Sequence, residues 1–80
     1  NYPNPFNPVT NITYTLQKQS LVQLDVYNTL GQKVSTLVNT RQIPGEHTIQ
    51  FNGNNLASGI YFYHLKAGDF SQVKKMILMK

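Results

Sequence analysis

Polar and apolar residues alternate in short runs along most of the chain. In residues 10–16, Ile12, Tyr14 and Leu16 fall on one side and Asn11, Thr13 and Thr15 on the other, the period of a half-buried strand. Residues 17–20 read as a polar turn. Residues 21–27 alternate again, with Val22, Leu24 and Val26 pointing one way and Gln23 and Asp25 the other. Asn28-Thr29-Leu30-Gly31-Gln32 predicts a hairpin loop in which Gly31 can take positive φ. Residues 33–38 form the return strand, with Val34 and one of Leu37 or Val38 inward.

The second half follows the same rhythm. Ile43-Pro44-Gly45-Glu46 has proline and glycine where a type II turn places them. Residues 47–51 put His47, Ile49 and Phe51 on one face. Asn52-Gly53-Asn54-Asn55 is a turn cluster, and Leu56 is expected to plug the space beneath it. Residues 60–67 carry Tyr61, Tyr63 and Leu65 on one face and Ile60, Phe62 and His64 on the other, so this strand should be central. Gly68-Asp69 predicts a two-residue hairpin turn with glycine first, and residues 70–79 close the pattern. Six or seven short strands without a helical period predict an all-β fold, an antiparallel β-sandwich, Ig-like in outline. The expected core is Ile12, Tyr14, Leu24, Val26, Ile49, Phe51, Leu56, Tyr61, Tyr63 and Leu65.

Residues 1–9 hold three of the four prolines and read as an extended linker junction ahead of a domain at residues 10–80. The first residue is not Met, and no charged-then-apolar leader opens the sequence. The chain is therefore expected to be a piece of a longer protein. Eighty residues suffice for one small domain. With no cysteine, disulfides and thiolate metal sites are excluded. No apolar run is long enough to span a membrane.

Net charge is +4, from Lys18, Lys33, Arg41, Lys66, Lys74, Lys75 and Lys80 against Asp25, Glu46 and Asp69. The cations are scattered along the sequence and read as a solvated surface with gatekeeper lysines on an edge strand, not as a nucleic-acid site. Lys74 and Lys75 would face opposite ways in a strand. The three acids read as turn and surface residues. His47 and His64 lack the spacing of a metal site and read as strand histidines held by local hydrogen bonds. No serine sits in a nucleophile elbow, and no phosphate-binding glycine loop is present. No catalytic activity, metal or cofactor is expected. Tyr14, Tyr27, Tyr61, Phe62 and Tyr63 read as core and cross-strand residues rather than a stacking platform.

Four elements, in order, resemble the type A C-terminal sorting domain of the bacterial type IX secretion system. Pro3-Asn4-Pro5 is similar to the family's opening. The stretch from Val26 to Val34, with its glycine turn at Gly31, resembles the central hairpin; Asn28 stands where many relatives carry Asp. Pro44-Gly45 resembles the third element. Gly59 and Tyr61, followed by Lys74, Lys75, Met76, Ile77 and Leu78, resemble the terminal element, and spacing leaves the motif lysine open between Lys74 and Lys75.

The resemblance implies a domain that is itself not catalytic. It would follow an N-terminal passenger in the same chain and direct it through the periplasm and across the outer membrane of a Gram-negative bacterium. Its partners would be the secretion machinery and a sortase-like peptidase that usually removes it. The passenger would end secreted or on the cell surface. Two other readings fit the same strand pattern: a structural Ig-like module of the flagellar hook-capping type, and a carbohydrate-binding accessory module.

Overall fold

The computed structural model describes residues 8–79. Six strands follow one another: β1 (Val9–Leu16), β2 (Ser20–Tyr27), β3 (Lys33–Gln42), β4 (Gly45–Asn52), β5 (Gly59–Ala67) and β6 (Phe70–Leu78). All pairings are antiparallel. A four-stranded sheet has the order β3-β2-β5-β6, and β1 pairs with β4 in a second, two-stranded sheet. The architecture is the expected β-sandwich, and β5 is central as its two apolar faces required.

The two sheets close on one core. β1 and β4 supply Ile12, Tyr14, Leu16 and Phe51; the larger sheet supplies Val22, Leu24, Val26, Val38, Tyr61, Tyr63, Leu65, Ala67, Met76 and Leu78. Burial of this apolar surface is the main stabilising term for so small a domain. Of the expected core residues, Ile49 and Leu56 are only half-buried, packed against the core from its margin. Among the described residues β4 pairs with β1 alone, so no third strand flanks Ile49.

β3 is longer than expected and does not alternate. Its pairing with β2 shifts between Leu24 and Asp25 and again between Val26 and Tyr27, so that Leu37 and Val34 are left without a direct partner. Each such bulge reverses the inside–outside order of the strand. Val38 is therefore buried, while Val34 and Leu37 are half-buried against the core.

The Pro44-Gly45 element carries the chain from the larger sheet to the smaller. The chain bends at Pro44, and no backbone hydrogen bond closes a turn between Ile43 and Glu46 among the described residues. The reason is topological: β3 and β4 belong to different sheets and need no tight reversal. Gly45 has φ +123°, a conformation that side-chain-bearing residues rarely adopt.

Candidate functional site

The terminal element of the sequence forms the β5–β6 hairpin. Ala67 pairs with Phe70, leaving Gly68-Asp69 as the two-residue loop. Gly68 has positive φ and Asp69 does not, the geometry expected of a turn with glycine first. Among the described residues β6 pairs with β5 alone, at the edge of its sheet.

Its side chains divide cleanly. Met76 and Leu78 stand opposite Tyr61 and Gly59 and point into the core, at 0% and 1% exposure. They belong to the packing and are not a surface that a partner can read. Lys74 stands opposite Tyr63, on the inner side, yet is exposed because the two-stranded sheet does not extend over it. Lys75 stands opposite Phe62 on the outer side and is exposed; Ile77 beside it is half-buried. Tyr61 is buried, and its hydroxyl donates to the Ala57 carbonyl at 2.7 Å, tying the loop before β5 to the strand.

The other motif residues are spread over the fold. Gly31, at φ +80°, sits in the β2–β3 loop. That loop is organised by Asn28: its Oδ1 accepts from the backbone N–H groups of Leu30 and Gln32, both at 3.0 Å, and its Nδ2 donates to Gln32 Oε1 at 2.9 Å. Pro44 and Gly45 lie at the opposite end, at the sheet crossover. There the His47 ring stacks on Tyr14 with centroids 5.5 Å apart. His47 Nε2–H donates to the Ile43 carbonyl at 2.8 Å, and the Tyr14 hydroxyl donates to the Gln42 side chain. Pro3, Asn4 and Pro5 lie outside the described residues.

The entry to the fold and its exit share one end. Gly53 N–H donates to the Pro8 carbonyl at 2.8 Å. A Cβ on Gly53 would stand 3.1 Å from a terminal methyl of Leu78. The β4–β5 loop is thus packed between the start of β1 and the end of β6.

Asp25 departs from the expected role of a surface acid. It lies on the outer face of the larger sheet, yet is only 3% exposed. Thr36 Oγ1 donates to its Oδ1 at 2.8 Å, Gln23 Nε2 donates to its Oδ2 at 3.0 Å, and Lys33 Nζ stands 3.6 Å away. A buried carboxylate needs such partners. The signal in the sequence was an acid in mid-strand flanked by apolar residues, with its cation eight positions on. His64 Nε2 and Ser71 Oγ are 2.6 Å apart, the local bond expected of that histidine. No group of three or more metal-ligating side chains comes together among the described residues.

Two tyrosines carry altered acidity. Burial raises the Tyr63 hydroxyl above its ordinary value. Burial also raises Tyr14, against a smaller opposing effect of its hydrogen bond to Gln42. Both are core residues.

A family model described as the secretion system C-terminal sorting domain matches residues 1–79. Neither the curated proteins nor the solved structures yield a match. With a match over nearly its whole length, the chain belongs to the secretion system C-terminal sorting domains, the signals that direct proteins to type IX secretion.

Proposed function

We propose that the type IX machinery reads this domain through Lys74 and Lys75 on the terminal strand β6. A sortase-like peptidase then removes the domain from a passenger that has crossed the periplasm. The observation that carries the reading is the division of β6: Met76 and Leu78 are committed to the core while Lys74 and Lys75 are exposed on its two faces. Charged groups exposed on a surface steer encounter with, and select for, a partner of opposite sign. Lys74 and Lys75 bracket the edge from both faces and would select an acidic partner. The domain itself performs no chemistry in this reading; Asp25, His47 and His64 are held in local structural bonds.

Processing is tested by a reporter carrying one tag ahead of the domain and a second tag inside the Asn52–Asn55 turn. The expected product outside the cell keeps the first tag and lacks the second. An exported reporter that retains both tags contradicts removal, while leaving recognition through the β6 lysines intact.

A further inference from the structure

The cations that are scattered in sequence gather on one face. Ladder partners share a face, so the outer side of the larger sheet carries Lys33 beside Tyr27, Arg41 beside Leu21, Lys66 beside Gln23 and Lys75 beside Phe62. Four of the seven basic residues lie there, and the face's one acid, Asp25, is already buried among partners. The outer side of the β1–β4 sheet is different. It presents Asn11, Thr13, Thr15, Glu46, Thr48 and Gln50, with the Thr13 and Thr48 hydroxyls bonded to each other at 3.1 Å.

At the centre of the basic face is a shallow depression of 220 Å³ lined by Gln23, Asp25, Tyr27, His64 and Lys66. Its chemistry is mixed. Lys66 only donates hydrogen bonds, the Gln23 carbonyl accepts, and the Tyr27 phenol does both; Asp25 is already held by Thr36, Gln23 and Lys33, and His64 Nε2 by Ser71. An anion would call for donors throughout and a metal cation for acceptors throughout. A hydroxyl group donates and accepts at once, so a polyhydroxylated ring matches this lining. Tyr27 adds an apolar ring with a polar tip. The row through the depression's edge runs Lys33, Tyr27, Phe62, Lys75, placing the two lysines roughly 14 Å apart across three strand spacings.

We propose that this face binds an anionic glycan, one sugar in the depression and its acidic neighbours on the flanking cations. The charge density argues against nucleic acid, whose phosphates recur about every 3.4 Å along a strand; cations this widely spaced would leave most of them unpaired. The site shares Lys75 with the terminal strand but centres on β2 and β5, and it stands whether or not β6 is what the secretion machinery reads.

The test is a titration of the isotopically labelled 80-residue chain with tetragalacturonate, followed by amide chemical shifts. Shifts are expected at Gln23, Tyr27, Phe62, His64 and Lys66, with Thr13 and Thr48 unmoved. Lys66→Gln, an exposed substitution, should weaken binding by about tenfold or more, and Tyr27→Phe should weaken it without disturbing the fold. Poly-L-glutamate and oligothymidylate at equal charge should bind less tightly. Equal or tighter binding of either polymer at these residues would reassign the face to acidic peptides or nucleic acid and overturn the proposal. An absence of shifts with tetragalacturonate would overturn it as well.

Discussion

Gly53 lies against Leu78 so closely that a single added methyl would stand 3.1 Å and 3.3 Å from its two terminal carbons. The same glycine donates its N–H to the Pro8 carbonyl. The strand that ends the domain and the segment that begins it are held by one residue between them.

This contact predicts coupling. Gly53→Ala should lower stability by about 1 kcal/mol through overpacking, measured as a shift in the denaturant midpoint at unchanged slope. Leu78→Val, which withdraws a methylene, should cost about 1 kcal/mol by itself. In the double variant the loss should be smaller than the sum of the two single losses, because the smaller side chain makes room for the methyl. Strict additivity would mean that the two residues do not press on each other.

The β2–β3 loop predicts an ordering of variants at Asn28. Alanine removes two acceptor bonds and one donor bond and should cost about 1–2 kcal/mol. Aspartate at this position should escape most of that cost, since a carboxylate keeps both bonds to the Leu30 and Gln32 N–H groups. The loss for Asn28→Asp should therefore fall well short of that for Asn28→Ala in thermal unfolding. Equal losses would show that the side-chain bond to Gln32 dominates the loop.

Alkaline pH should unfold the domain through its buried phenols. In the unfolded chain Tyr14 and Tyr63 titrate at the ordinary value of 10.0, and in the folded state both are raised. Folding favours the protonated phenol, so its contribution is fully present below pH 10 and is lost as pH rises through the folded values. Denaturant midpoints should begin to fall near pH 10 as alkalinity increases. Tyr63→Phe should be less sensitive to alkali than the parent. A parent profile that stays flat above pH 10 would contradict the burial of both hydroxyls.

Much of this fold was legible because strand alternation and turn chemistry are local. Ile12, Tyr14 and Leu16 declare their face within one short run, and Gly68-Asp69 declares its own turn. What was not legible is long-range. Nothing near Pro44 announces that β4 leaves the sheet of β3 to pair with β1, near the start of the chain. Bulges at Leu37 and Val34 exist only relative to β2, so alternation within β3 misplaces its inward residues. The basic face is of the same kind: Lys33, Arg41, Lys66 and Lys75 come onto one surface only once the strand order β3-β2-β5-β6 is known. Asp25 was read as a surface acid because its partners Thr36 and Lys33 arrive from the neighbouring strand.

The terminal strand requires two kinds of variant to be told apart. Deleting residues 76–80 removes Met76 and Leu78 from the core, and losing either buried side chain costs about 2–5 kcal/mol. The truncated chain should therefore lose cooperative unfolding, and its failure to be exported would report on folding. Lys74→Ala and Lys75→Ala act at exposed positions and should each move stability by less than about 0.5 kcal/mol.

The most direct measurement is the fraction of a periplasm-targeted reporter that reaches the surface or medium of a host with type IX secretion when fused to this 80-residue chain. The intact fusion should be exported, and the Lys74→Ala/Lys75→Ala double variant, with an unfolding midpoint equal to the parent's, should accumulate in the periplasm. Export of the stable double variant at the parent's level would contradict recognition through the lysines of β6.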